Sequence, residues 1–148
     1  MNDMYYCLSL VDRIYNKIKR KEEEAERWRQ ESEYQSPQFG ERVQTSRTSS
    51  TPYALDKYIE ISGEIKELKN KLIEAQHLIL KMIEPIPAPM YEVIHRHCIC
   101  LQTYRQIAEA MGKSETFVTY TYKDGVNFLS EIECRKIIKE LKSIGGQI

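Results

Sequence analysis

The sequence lacks an excess of charge of either sign: 22 basic residues stand against 22 acidic ones in 148. The chain as a whole is not a polycation, so attraction to nucleic acid gets no help from net charge. It also lacks any apolar run near the roughly 20 residues that span a bilayer. Asp3 and Asp12 interrupt the start, where a signal peptide would lie. Cysteine is sparse, and Cys7, Cys98, Cys100 and Cys134 are irregularly spaced. That spacing argues against a disulfide framework and for a reduced, cytoplasmic setting without a membrane. There is no Gly-rich phosphate loop, no nucleophile elbow and no carboxylate pair in an apolar setting. No enzyme activity, catalytic residue or cofactor is expected.

His95-Arg96-His97-Cys98-Ile99-Cys100 has the residue types of a metal site. On a regular helix, however, His97, Cys98 and Cys100 lie about 200°, 300° and 140° around the axis from His95. One tetrahedron cannot close on all four. The expectation is no metal, with thiols buried in helix packing.

Helical periodicity is what the chain does contain. Residues 4–33 place Met4, Cys7, Val11, Ile14, Ile18, Ala25 and Trp28 on one seam, broken at Lys21. The charged block Lys17–Arg27 reads as a solvated face with i,i+4 pairs. Residues 34–53 are polar, with Pro and Gly and no apolar period, and read as a loop at least partly mobile. Residues 54–83 carry Ile61, Ile65, Leu68, Leu72, Ala75, Ile79 and Met82 at heptad spacing. Ile59, Ile73 and Leu78 widen that face. Two such helices joined by a loop should pair as an antiparallel hairpin over residues 1–84. Each is about 45 Å long, too thin to cover both seams alone, so the helices 4–33 and 54–83 are expected to form a homodimer.

Pro85, Pro87 and Pro89 alternate and cannot continue a helix, so residues 85–89 read as a semi-rigid extended spacer and a domain boundary. Residues 90–148 should form a helical domain. A short helix over about 90–99 turns Val93 and Ile94 inward. Ile107, Ala108 and Met111 give the next helix its apolar face. Gly112 follows as a left-handed stop, and Ser114 reads as an N-cap. In the helix that begins there, Val118, Tyr122, Gly125, Val126 and Leu129 share the inner side. Gly125 costs roughly 1 kcal/mol against Ala in mid-helix, which suggests close packing. Ser130-Glu-Ile-Glu133 fits a capping box for a tail helix that Gly145-Gly146 should stop.

A helix, a tight turn and a second helix with a free outer side form a helix-turn-helix, whose second helix suits a DNA major groove. Candidate DNA-binding residues are Thr103, Tyr104, Lys113, Ser114, Glu115, Thr116, Thr119, Tyr120, Lys123 and Asn127. Tyr can bond phosphate and pack on sugar, Lys123 offers a point charge, and Glu115 repels phosphate but can accept from cytosine N4.

With these residues in place, positions 89–129 resemble region 4 of bacterial sigma factors. Thr103, Ile107, Ala108, Gly112, Ser114, Val118, Val126 and Leu129 carry the likeness. The wider layout is similar to the RinA/ArpU-like phage transcriptional regulators. In these, a charged helix, a Ser/Thr/Pro-rich loop and a heptad helix precede a sigma-like helix-turn-helix. The resemblance implies binding of double-stranded DNA, control of phage late genes, nucleoid association, contact with host RNA polymerase and no enzyme activity. The chain departs from the pattern at Glu115, Thr116 and Phe117, where Arg or Gln is usual. It departs again at Cys100-Leu101, where a Gly is usual. Two rival readings stand beside it: an adaptor that binds a partner through its coiled helices, and a phage packaging small subunit.

Overall fold

The structure is a computed structural model. It describes the backbone of residues 2–35, 45–132 and 134–148, and the side chains of 3–33, 53–132 and 134–148. The protein is all-α, with no strand among the described residues. In order, the α-helices are α1 (Asn2–Leu8), α2 (Leu10–Gln35), α3 (Thr45–Ile83), α4 (Met90–Ile94), α5 (Tyr104–Met111), α6 (Glu115–Glu131) and α7 (Arg135–Gln147). A π-helical turn over His95–Ile99 continues α4. Among the described residues, no helix is long and apolar enough to cross a membrane.

The first expected helix is divided at Ser9. The Ser9 amide is shared between the carbonyls of Tyr5 and Tyr6, and its hydroxyl donates to the Tyr6 carbonyl at 2.9 Å. A hydroxyl that bonds back to the preceding turn competes with the helix ladder. The expected loop 34–53 also changes. Residues 36–44 lie outside the described residues, but 34–35 end α2 and 45–53 belong to α3. Ser and Thr fail to mark a helix but do not forbid one, and extending a nucleated helix is far easier than starting one.

The chain forms two compact units, Tyr15–Asn70 and Met1–Ile14 with Lys71–Ile148. In the Tyr15–Asn70 unit, α2 and α3 run antiparallel. Lys21 meets Glu64 at 3.0 Å, Glu22 meets Lys69 at 3.5 Å, and the Trp28 and Tyr53 rings meet edge to face. Ile18, Ala25, Ile61 and Leu68 are buried there, whereas Leu55 and Ile59 are exposed. Lys21, which breaks the first seam, is accommodated by its bond to Glu64.

In the other unit, α1 packs against α6 and α7. Met4, Cys7, Leu8, Leu10, Val11 and Ile14 are all buried, on a face wider than one heptad seam. Ile79, Met82, Ile83 and Ile86 join the same unit's core, as do Val93 and Ile94. The proline segment lies inside this unit and is a turn, not an extended spacer. The Ile86 amide bonds the Ile83 carbonyl, and Pro87 and Pro89 carbonyls accept from Tyr91 and Val93. Buried Ile86 holds the turn against the core, and the Ala88–Pro89 bond is cis.

Two glycines in this unit do different work. At Gly125 an added Cβ would lie 2.4 Å from Ile94 Cδ1 and 3.4 Å from Met90 Cβ, so its bare backbone lets α4 approach α6. The expected stop at Gly145-Gly146 does not occur, because α7 runs through to Gln147. A Cβ at Gly145 would meet the Tyr6 hydroxyl, so this glycine makes room for a ring on α1. Nor is α7 opened by a capping box at Ser130. The Ser130 hydroxyl donates back to the Val126 carbonyl, Glu133 lies outside the described residues, and the N-cap Cys134 makes no side-chain capping bond, its thiol lying instead against the Leu129 and Ile132 carbonyls.

Candidate nucleic-acid interface

The candidate interface is built from α5, the turn at Gly112 and α6. Thr103 opens α5 with extended backbone, and its hydroxyl accepts from the Gln106 amide at 3.2 Å. The Gln106 side chain accepts from the Thr103 amide in return at 2.9 Å. This reciprocal cap satisfies two amides that the helix leaves unpaired. Ile107 and Ala108 point inward and are buried. Gly112 then adopts φ 67° and ψ 35°, and the Lys113 amide bonds the Ala108 carbonyl at 2.9 Å. That left-handed closure is favourable without a Cβ. Ser114 returns to extended backbone and its hydroxyl accepts from the Phe117 amide at 3.1 Å.

The inner side of α6 is set by burial. Val118, Val126 and Leu129 are fully enclosed, and Thr121, Tyr122 and Gly125 are buried with them. Thr116, Tyr120, Lys123 and Asn127 are exposed on the opposite side. Their spacing of four, three and four makes one stripe about 16 Å long. Tyr120 is the most prominent, at 62% exposure for a large aromatic side chain. Lys113 and Glu115 are exposed at the start of the same helix, with the Lys113 ammonium 5.4 Å from the Phe117 ring centre.

The other candidate residues are occupied by structural contacts. The hydroxyls of Thr103 and Ser114 are caps. Thr119 is half-buried and donates to the Glu115 carbonyl at 3.0 Å. Tyr104 is half-buried beside His97 and Tyr122, with ring centres 4.7 and 5.9 Å away, and Tyr5 completes the group against Tyr122 at 6.3 Å. Burial pushes the Tyr104 phenol above its ordinary range. Arg105 reaches Glu109 at 3.6 Å, and Arg96 reaches Glu92 at 3.1 Å, so both guanidinium groups already have partners.

The turn into α5 brings together residues that a regular helix would separate. In the π-helical segment the Cys100 amide bonds the His95 carbonyl at 3.1 Å, five residues back. That wider turn places Cys100 Sγ 3.7 Å from His95 Nδ1, although an α-helix sets them about 140° apart. His97 Nδ1 instead lies 2.9 Å from the Gln102 carbonyl, and Cys98 Sγ lies 3.7 Å from the Tyr122 hydroxyl. Cys100 and His95 thus make one pair, while His97 and Cys98 both turn to Tyr122, His97 toward its ring and Cys98 toward its hydroxyl. Among the described residues, no three His, Cys, Asp or Glu side chains are grouped to hold a metal ion. Leu101, at φ 58°, takes the left-handed backbone that an ordinary side chain rarely adopts. The aromatic group around Tyr122 has no sequence signature, because His97 and Tyr104 reach it only through this irregular turn. No family model, curated protein or solved structure matches this chain.

Proposed function

We propose that this protein is a sequence-specific DNA-binding transcriptional regulator whose recognition helix is α6. The observation that carries this reading is the exposed stripe Thr116, Tyr120, Lys123 and Asn127, mounted on a helix whose other side is locked into the core. A stripe about 16 Å long fits along a major groove about 12 Å wide. The four side chains supply a hydroxyl, a phenol, a cation and an amide. Asn pairs in two directions with adenine, Thr can bond or touch a thymine methyl, and Lys contacts guanine or phosphate. Gly112 and the Ser114 cap fix the angle at which this stripe is presented.

The resemblance to RinA/ArpU-like regulators extends the proposal to phage late-gene control, with host RNA polymerase as a further partner. We also place a homodimer interface on the α2–α3 hairpin, so that two α6 stripes read two half-sites.

Selection of bound duplexes from a random pool, followed by variants on the selected site, tests the reading. Thr116→Ala or Tyr120→Ala should reduce affinity for the selected duplex about fivefold to a hundredfold while sparing random duplex, as expected for loss of base contacts worth about 1–3 kcal/mol. Lys123→Ala should weaken both duplexes and make the salt dependence shallower. A pool that yields no enriched sequence, or equal losses on selected and random DNA in the Thr116 and Tyr120 variants, would refute base readout by α6.

A further inference from the structure

Charge is balanced over the chain but not along it. α7 carries Arg135, Lys136, Lys139 and Lys142 against a single carboxylate, Glu140. At 100° per residue, Arg135, Lys139 and Lys142 fall within about 60° of one another and opposite Ile144, with Lys136 beside them. All four are exposed, whereas Leu141 and Ile144 are buried. Lys142 bonds Asp3 at 2.8 Å and Arg135 also has a partner, whereas Lys136 and Lys139 form no ion pair among the described residues. Arg135 and Lys136 occupy the first turn, which holds no acidic residue and has no side-chain cap. Cations there oppose the helix dipole, so helix stability alone does not favour this placement. Lys81, in the last turn of α3, lines the same groove of about 510 Å³ as Arg135, Lys136 and Ile137, with Glu140 as its one carboxylate.

We propose that Lys81, Lys136 and Lys139 form a sequence-independent surface for the phosphate backbone of double-stranded DNA, separate from the base-reading stripe of α6. The identity of the ligand rests on the regulator reading, but the charge pattern stands by itself. The α6 stripe carries one cation, Lys123, with Asp124 and Glu115 on the same helix. It is therefore poorly supplied with backbone anchors, which usually make up half or more of the bonds to DNA. The tail supplies them. Its lysines Lys136 and Lys139 stand one turn apart on α7 and Lys81 stands on a second helix, a spread of separate point charges that suits a polyanion with closely spaced charges more than one small anion. Lysine is a point charge on a flexible stem, so it holds phosphate without reading sequence. A lipid surface fits poorly, since a basic amphipathic helix lies on a membrane through its apolar side, and that side of α7 is already used against the core.

The test uses the full chain and measures affinity for selected and random duplexes across a salt series. The Lys136→Gln/Lys139→Gln variant should flatten the slope of log affinity against log salt by about 1.8, at roughly 0.9 per phosphate contact. At ~0.1 M salt its affinity should fall on the order of tenfold or more, equally on both duplexes and without a change in the preferred site. Both lysines are exposed, and circular dichroism checks that the helices persist. An unchanged slope and affinity, with wild-type protein binding its selected site, would overturn the tail surface and leave the regulator reading intact. Absence of any salt-dependent DNA binding by the wild type overturns both. Random-duplex binding lost in the lysine variant, but with no sequence enriched from the pool, supports the tail surface and removes sequence-specific regulation. Wild-type binding to phosphatidylglycerol vesicles rather than to duplex, lost in the lysine variant, assigns the patch to lipid and overturns the proposal.

Discussion

Cys98 links the stability of the helix-turn-helix unit to alkaline pH. It is 3% exposed and lies against the Tyr122 hydroxyl. Burial disfavours the thiolate and pushes its pKa from 9.0 to about 12; burial also raises Cys7 to about 11 and carries Tyr122 upward from 10.0. Each folded group keeps a proton that the unfolded chain releases. Below pH 9 the thiols contribute no pH dependence. Above it, the unfolded state binds fewer protons, so stability falls as pH rises, by about 1.4 kcal/mol per pH unit for each group. Stability measured by urea unfolding should therefore decline from pH 9 toward 11. Cys98→Ser removes one ionising thiol while keeping a hydroxyl near Tyr122, and should make that decline shallower by about one proton. Equal slopes for the variant and the wild type would show that Cys98 ionises as readily in the folded protein as in the unfolded chain. Neighbouring Leu101 shows a different limit of single residues: its left-handed backbone stores strain of about 1–2 kcal/mol in an ordinary side chain, and nothing about a Leu in a sequence announces it.

At the scale of the helix, glycine has no fixed meaning until its neighbour is known. Gly112 was legible because a stop after Ile107, Ala108 and Met111, followed by Ser114, is a local grammar of turn and cap. Gly125 was legible as a close approach, although the sequence did not say that Ile94 is what approaches. Gly145 and Gly146 misled, because their local reading as a stop ignores Tyr6, which arrives from the other end of the chain. These differences are measurable. Gly125→Val forces a branched side chain against enclosed Ile94 and should destabilise by about 1–3 kcal/mol. Gly146→Ala meets nothing within 4 Å and should stabilise α7 by up to about 1 kcal/mol, less whatever fraying removes. Comparable destabilisation by both changes in urea unfolding would contradict the packing described for α6. The heptad seams were legible for the same reason as Gly112, since periodicity is local. The π-helical turn, the proline turn and the early start of α3 were not. Each depends on contacts or propagation that carry no spacing signal.

For the molecule as a whole, periodicity names the apolar side of a helix but not the surface that covers it. Met4 through Ile14 were readable as a buried seam, yet the α1 part of it packs against α6 and α7, more than a hundred residues away. In the Tyr15–Asn70 unit the reverse holds: the expected antiparallel partner is present, and apolar surface is left over. Leu55 and Ile59 remain 47% and 59% exposed, one turn apart on α3. Ile61 and Leu68 already face the intramolecular seam. Isolated exposed apolar residues are common and need no explanation; a pair on one face of a two-helix hairpin is where a second copy would add its own helices. If the hairpin self-associates as proposed, the wild type should sediment as a dimer and the Leu55→Asp/Ile59→Asp variant as a monomer. Its helical content should be unchanged, because neither side chain is needed within the chain. Leu68→Asp, by contrast, buries a charge in the seam and should lose helicity as well as assembly, at a cost of several kcal/mol. If the wild type is monomeric at all concentrations reached, the hairpin is not a self-association surface, and a two-half-site operator loses its structural basis.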